Sequence, residues 1–257
     1  EAGEITTVGR NGSDLTASLF GAAIGADEVQ IWSDTDGVMT ADPSVVPSAQ
    51  SIPQMRFDEA AELAYFGSRV LHPSTLLPAM TGDIPVRVMN TNRPMHPGTV
   101  ITGKPGGNPR LVTSIAYKER QSVLRVSSTR MFEQVGFLGE FFAIVARHKV
   151  DVDMIATSEV SVSLSSKDHA ALVSALPELE QLGTCELSQG KTILSIVGQQ
   201  LTRTHGIGGR ILDCIAAAGV NVEMMTFGMG SINFTVVIDD ADIAKVVPIL
   251  HSRLFEG

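Results

Sequence analysis

Hydrophobic and polar positions in the second half of the chain follow one pattern twice. In the first copy, Val123 to Val126 is a short apolar run that predicts a strand. Phe137, Phe141, Ile144 and Val145 recur at helical spacing and predict a helix over 136–148. Val150 to Ile155 reads as a second strand, and Val160 to Leu164 as a third with period-two alternation. Ala170, Leu172, Val173 and Leu176 mark a second helix. In the second copy, Ser122-Val-Leu-Arg-Val126 returns as Thr192-Ile-Leu-Ser-Ile196. Gly136-Phe-Leu-Gly139 returns as Gly206-Ile-Gly-Gly209. Lys149-Val-Asp-Val-Asp-Met154 returns as Gly219-Val-Asn-Val-Glu-Met224. All three matches share one offset of 70 positions. Two copies are too few for a solenoid, so two small paired domains are expected. The order strand-helix-strand-strand-helix, with a closing strand, is the split βαβ or ferredoxin-like plan. Two such sheets can join edge to edge and remove exposed edges.

The first hundred residues alternate differently. Ile5 to Val8 predicts a strand, Asp14 to Gly25 a small-residue helix, and Glu28 to Trp32 a buried strand. Asp58 to Phe66 predicts a helix and Pro85 to Met89 a further strand. Alternating strands and helices predict a mostly parallel sheet covered on both faces. The chain opens directly in a strand, so this segment reads as part of a domain. The Gly/Pro-rich stretch Gly98 to Pro109 marks the boundary with the repeats.

Composition narrows the function classes. With 44% hydrophobic residues among 257, the chain can build real cores. The formal charge is −9 and basic residues are unclustered, which argues against a nucleic-acid partner. Cys185 and Cys214 stand alone, as buried free thiols of a reducing compartment would. No cluster of metal ligands is read from the sequence. No apolar run reaches the roughly 18 to 20 residues needed to span a bilayer. Glu-Ala-Gly-Glu at the start is not a signal peptide. A soluble, cytoplasmic protein with no membrane partner is the expectation.

Three segments could carry chemistry. Gly9-Arg-Asn-Gly-Ser-Asp14-Leu-Thr16 lies between a predicted strand and a helix, where glycines admit a ligand and free N–H groups face an anion. Ser13 or Asp14 could equally cap the helix. Arg10 beside Asp14 also suits a zwitterion, the first facing a carboxylate and the second an amino group. Ile31-Trp-Ser-Asp-Thr-Asp-Gly37 ends a strand, where ligands bind in open α/β sheets, although Asp-Gly is also ordinary turn chemistry. In Phe66-Gly-Ser-Arg-Val-Leu-His-Pro73, Arg69 could pair with phosphate oxygens, while His72 before proline reads as structural. Gly206-Ile-Gly-Gly-Arg-Ile211 fails the dinucleotide fingerprint at Ile211, and the repeat already explains its glycines.

Taken together, these segments resemble the aspartate kinases of the amino-acid kinase superfamily. The carrying residues are Thr7 to Ala17, Ile31 to Gly37, Thr40-Ala-Asp-Pro43, Glu62 to Pro73 and the tandem repeat, whose copies resemble amino-acid-sensing ACT domains. Val152 to Val162 and Leu250-His-Ser-Arg-Leu-Phe-Glu256 resemble the monofunctional, lysine-inhibited class. The family's Lys-Phe-Gly-Gly phosphate-binding segment is absent, and Asn11, Ser33, Ser44 and Arg69 stand where the family pattern carries Gly, Thr, Arg and Lys. The resemblance implies an α/β fold: a partial amino-acid-kinase sandwich over residues 1–104, then two βαββαβ ACT domains over 118–190 and 191–257.

It also implies phosphorylation of the L-aspartate side-chain carboxylate by ATP with Mg2+, feedback-regulated by L-lysine. Arg10, Ser13 and Asp14 would serve aspartate and catalysis. Ser33, Asp34 and Arg69 would line the nucleotide site. The effector would meet Met131, Gln134, Phe137, Leu138, Val152, Asp153, Ser158 and Glu159 of the first copy. In the second copy, Gly228 and Met229 replace Ser158 and Glu159, so that copy is read as structural or as completing a neighbour's site. A homodimer or tetramer through the ACT copies is expected, and the 257 residues alone are expected to be inactive. A regulatory amino-acid-binding subunit and an interaction module with a kinase remnant are the competing readings.

Overall fold

A computed structural model describes residues 12–67, 71–106, 110–133 and 135–256. The strand expected at Ile5 to Val8 lies outside those residues. The first segment contains α1 (Gly12–Ile24), β1 (Val29–Ser33), β2 (Gln54–Arg56), α2 (Phe57–Tyr65), α3 (Pro73–Thr81), β3 (Val86–Asn90) and β4 (Thr99–Thr102). Its strands lie in the order β1-β3-β4-β2. The β1–β3 and β4–β2 pairs are parallel, as expected, but β3 and β4 are antiparallel. The connection over residues 91–98 causes the difference. A parallel crossover needs roughly a dozen residues or more, so a shorter connection turns straight back. Gly98 completes that turn with φ +65°, and a Cβ there would lie 2.0 Å from the Val88 carbonyl oxygen. The α1 helix buries only Ser18 and Gly21 and leaves Leu19, Phe20 and Ile24 exposed.

The repeat unfolds as β5 (Ser114–Ser127), α4 (Arg130–Glu133), α5 (Phe137–Arg147), β6 (Met154–Thr157), β7 (Ser161–Ser166) and α6 (His169–Leu179). The second copy follows as β8 (Thr184–Val197), α7 (Ile207–Ala217), β9 (Met224–Thr226), β10 (Asn233–Asp239) and α8 (Ile243–Phe255). Both α5 and α7 start on a left-handed glycine, Gly136 at φ 94° and Gly206 at φ 74°. The strand expected over Val150 to Ile155 begins only at Met154. Lys149 closes α5 in the left-handed region at φ 54°, and its N–H bonds back to the Ala146 carbonyl. Val150 is therefore spent on the turn and packs as a core residue outside the ladder.

All six strands form one sheet in the order β6-β7-β5-β8-β10-β9. Strands β5 and β8 are far longer than the four-residue apolar runs that announced them, because each serves both copies. Ser127 pairs with Thr184 and Ser114 with Val197, with the register shifting between Lys118 and Val123. The second half of β5 and the first half of β8 complete the first copy's sheet. The first half of β5 and the second half of β8 complete the other.

One face of this sheet carries two cores. Phe137, Phe141, Ile144, Leu172 and Leu179 cover Leu124, Val126 and Leu164. Ile207, Ile211, Ile215, Val246 and Leu250 cover Ile115, Leu194, Phe234 and Val236. On the other face, Ala116, Val123, Ile193 and Val237 join the core of the first segment with Leu63 and Phe66 of the α2 region. Polar bonds reinforce that junction. The Thr40 hydroxyl and His251 Nε2 lie 2.8 Å apart, Asn233 Nδ2 donates to Glu62 at 2.6 Å, and Ile115 N donates to the Thr40 carbonyl at 2.9 Å.

Two glycines separate packing from backbone conformation. Gly67 has φ +107°, and a Cβ there would sit 2.2 Å from the Tyr117 carbonyl oxygen across the junction. Gly136 has φ +94° but open space around its Cβ position. Gly67→Ala should therefore destabilise by about 2 kcal/mol or more, and Gly136→Ala by about 1 kcal/mol. Urea unfolding of both variants checks this, and equal costs would contradict the close approach at Gly67.

Candidate functional site

The start of α1 and the end of β1 lie at one end of the four-stranded sheet. Helix α1 is followed by a short connection over residues 25–28, so the chain leaves α1 and returns alongside it as β1. Asp14 sits in the first turn of α1, where the Ser13 hydroxyl donates to its Oδ1 at 3.2 Å. Thr16 instead caps inward, its hydroxyl bonding to the Gly12 carbonyl at 2.6 Å. Arg10 lies outside the described residues.

At the end of β1, Ser33 Oγ accepts from the Thr35 amide at 3.2 Å, and Asp34 projects exposed. The neighbouring strand end holds this turn in place. Thr91 donates both its amide and its hydroxyl to the Ser33 carbonyl at 2.8 Å. Asn90 Nδ2 donates to Asp36 at 2.8 Å, and Arg93 forms an ion pair with the same carboxylate. Sequence reasoning named Ser33 and Asp34, quoted Asp36 only as part of their motif, and missed Asn90 and Arg93. The only signal was Asn90 ending a strand that runs parallel to β1. Arg69 lies outside the described residues. His72 caps α3, its ring accepting from the Ser74 amide.

In the first repeat, the predicted effector residues divide into two groups. Phe137 is buried and Leu138 exposed at the start of α5, whose cap offers no side-chain acceptor, so the first amides of the helix are open. Ser158 and Glu159 are exposed in the β6–β7 turn. The Ser128 amide donates to the Val160 carbonyl at 2.8 Å and holds that turn against the segment leading to Met131. Gln134 lies outside the described residues. Val152 and Asp153 sit at the opposite end of β6, where the Asp153 amide donates to the Ser165 carbonyl at 2.9 Å. The four residues of β6 separate the two groups by roughly 13 Å of strand, more than one amino acid can span within a single copy.

Asp153 is already occupied. Its side chain is 2% exposed, and Oδ1 accepts from Lys118 Nζ at 2.5 Å and from the Tyr65 hydroxyl at 2.9 Å. Lys118 also lies over the Tyr65 ring at 5.1 Å. Burial, then the adjacent Asp153 charge and its hydrogen bond, push the Tyr65 phenol well above its ordinary value. The repeat-equivalent acid, Glu223, is exposed and pairs with Lys191, which also bonds Asp239. Burial opposes the Lys191 charge, but its bonds to Asp239 and Glu223 outweigh that and raise its pKa. Glu159 forms no ion pair among the described residues, so it is the acid with net charge to offer a ligand.

No group of three or more metal-ligating side chains occurs among the described residues. No helix among them is long and apolar enough to cross a membrane. Cys185 is free, and burial pushes its thiol up to about 11, which keeps it protonated near neutrality.

The chain has relatives among known proteins. Residues 1–90 match the amino acid kinase family and residues 194–254 match an ACT domain. Aspartokinase 2 of Arabidopsis thaliana, a chloroplastic protein, is 42% identical over 98% of this chain and 48% of its own length. Lysine-sensitive aspartokinase 3 of Escherichia coli is 40% identical over 99% of this chain and 58% of its own length. The chain thus spans about half the length of the curated relatives it matches. The crystal structure of E. coli aspartokinase III with aspartate and ADP superposes with a TM-score of 0.86 at 39% identity, over 97% of this chain and 57% of that one. The same enzyme with lysine and aspartate superposes at 0.82 and 40% identity, over the same shares.

The Tyr65 environment has a spectroscopic consequence. A group whose folded pKa is raised stabilises fully below its unfolded pKa, here about 10, and loses that contribution as pH climbs through the folded value. The chain has two tyrosines. Ultraviolet titration should show a phenolate forming far above the ordinary range, and Tyr65→Phe should reduce the amplitude of that late step, whatever Tyr117 contributes through its bond to Asp42. A late amplitude unchanged in Tyr65→Phe would contradict the effect of Asp153.

Proposed function

Because the chain is homologous to the C-terminal part of the aspartokinases, we propose that it works within an enzyme that phosphorylates the side-chain carboxylate of L-aspartate. The observation that carries the reading is the likeness to the E. coli structure that holds aspartate and ADP. The kinase match over residues 1–90 favours it over the runner-up, a non-catalytic regulatory subunit. The reaction moves the γ-phosphoryl group of ATP onto a carboxylate oxygen and releases 4-phospho-L-aspartate and ADP. Such transfer rests on positioning and on neutralising phosphate charge.

In this reading Asp14 receives the substrate ammonium, with Ser13 orienting its carboxylate, and Arg10 pairs with the α-carboxylate. Ser33, Asp34 and Arg69 line the nucleotide site. The bonds of Asp36, Asn90 and Arg93 hold the β1 end against the neighbouring strand, so its turn is set before a nucleotide arrives. Asp34 has no partner among the described residues that a ligand would have to displace. Mg2+ enters as the companion of ATP. The phosphate-binding remainder of the kinase fold is not supplied by these 257 residues, so they are inactive by themselves.

L-Lysine is the proposed effector, acting on the first ACT copy. The open amides at Phe137 and Leu138 suit its carboxylate, with Met131 and Gln134 alongside. Glu159 suits an ammonium group, with Ser158 beside it. Val152 and Asp153 belong to the far end of β6, so backbone groups there serve a lysine held by the Phe137 end of a second copy, while the Asp153 carboxylate stays with Lys118 and Tyr65. A homodimer or tetramer through the ACT copies follows from that separation. Exposed Phe132, Val135, Leu138, Ile155 and Val160 give such an association an apolar surface.

Two experiments test the reading. In the enzyme with its complete kinase domain, Asp14→Ala should raise the aspartate KM by about tenfold or more, since a charged hydrogen-bond partner is worth about 1.5 to 3 kcal/mol. The ATP KM should stay nearly constant, and a shift confined to ATP would refute the assignment. On this chain, calorimetric titration of lysine should show Glu159→Ala binding about tenfold more weakly. Lys118→Met should lower thermal stability yet gain more from added lysine than wild type, because an incoming ammonium replaces the cation lost from Asp153. Unchanged lysine affinity in both variants would remove these residues from the effector site.

A further inference from the structure

A cavity of about 670 Å3 opens where the first segment meets the second repeat. We propose that it binds a small anion carrying two or more negative charges, of the phosphate or carboxylate class. Four cationic side chains line it from three separate stretches: Arg56 at the end of β2, Lys104 and Arg110 on the connection to the repeats, and Arg203 in the turn after β8. This gathering occurs in a chain with a formal charge of −9. Like charges brought together from distant positions repel one another, and a bound anion converts that repulsion into attraction.

The cations are not there to satisfy protein carboxylates. Arg56 pairs with Asp58 at 3.1 Å, but Lys104, Arg110 and Arg203 take part in none of the ion pairs among the described residues. Glu59 is the acidic residue in the lining, and it is already spent. It is 4% exposed, one oxygen accepts from the Arg56 amide at 2.9 Å, and the other accepts from the Thr113 hydroxyl. The Gln199 amide is likewise turned away, donating to Asp58 at 3.0 Å. Gln200 is left as a neutral polar group in the wall. Lys104, Arg110 and Arg203, all exposed and without a carboxylate partner, therefore border a space of a size usual for metabolite pockets.

This cavity is separate from the nucleotide site proposed above. Ser33 pairs with Asn90 at one end of the four-stranded sheet. From there the register runs through Val88 opposite Thr99 and Val86 opposite Ile101 to Arg56 opposite Thr102 at the other end. Arg56 and Lys104 thus lie at the end of the sheet remote from Ser33 and Asp34. An anion held by Arg110 and Arg203 together would also tie the connection to the second repeat and stabilise the junction.

Titration of the chain with pyrophosphate and with inorganic phosphate, at ionic strength held constant with sodium chloride, tests the site. Calorimetry should show saturable binding, tighter for pyrophosphate, with a matching rise in Tm. The double substitution Arg110→Ala and Arg203→Ala should weaken pyrophosphate binding about tenfold or more, while replacement of both by Lys should keep most of it. Circular dichroism confirms folding, and Lys104→Ala provides an independent removal of charge if the double variant does not fold. A parallel titration with ADP identifies the source of the phosphate. If the double variant weakens ADP and pyrophosphate alike, the site takes a nucleotide diphosphate. If it weakens pyrophosphate alone, the site takes a free anion. Absence of saturable binding, or equal affinity in wild type and the charge-removed variants, would overturn the proposal.

Discussion

The antiparallel pairing of β5 with β8 is the interaction on which the rest of the molecule depends. Each strand runs 14 residues and belongs to both repeat copies, so neither copy owns a complete sheet. Splitting the pair would expose the ladder along the middle of the six-stranded sheet and leave each copy with an unsatisfied edge. The shift in register between Lys118 and Val123, where Arg120 takes φ 58°, is the point at which the chain passes from one copy's sheet to the other's. Folding of one copy is therefore linked to folding of the other, and a displacement in one has a direct mechanical path to its neighbour.

The opposite face of that sheet joins the first segment to the repeats. Helix α2 lies against it, and its last residue, Tyr65, bonds to Asp153 of the first repeat. A buried carboxylate is tolerated only when its charge is met, and Lys118 meets it. Glu223, the equivalent acid of the second copy, also pairs with a lysine, Lys191, although it is exposed. An acid at this point of the repeat thus pairs with a lysine in both copies. The difference between the copies lies instead at Glu159 against Met229, both exposed, where the fold makes no demand. Four residues beyond Tyr65 in the sequence comes Arg69, one of the residues proposed for the nucleotide site.

Much of this was legible in the residues. The offset of 70 placed the helices and the left-handed glycines of both copies, because amphipathic spacing and glycine punctuation are local properties. The end of β1 was legible as a strand end, because polar residues follow an apolar run. Three features were not. The antiparallel β3–β4 pair followed from the length of a connection. The true extent of β5 was hidden because Ser114 to Lys118 earns its strand state only by pairing with Ile193 to Val197. The partner of Asp153 was hidden because Lys118 and Tyr65 stand 35 and 88 positions away.

By itself the sequence determined many of the element types, the duplication, the resemblance to the aspartokinases and the residues with chemistry to offer. Each of these depends on spacing within a few turns or on a motif read along the chain. Only the tertiary structure decided which of those residues act together. It divided the effector candidates between the two ends of β6, spent Asp153 on Lys118 and Tyr65, and gathered Arg56, Lys104, Arg110 and Arg203 around one cavity. The reason is physical. Ion pairing and cavity formation depend on distance in space and on exclusion of water, and neither is encoded by position along the chain.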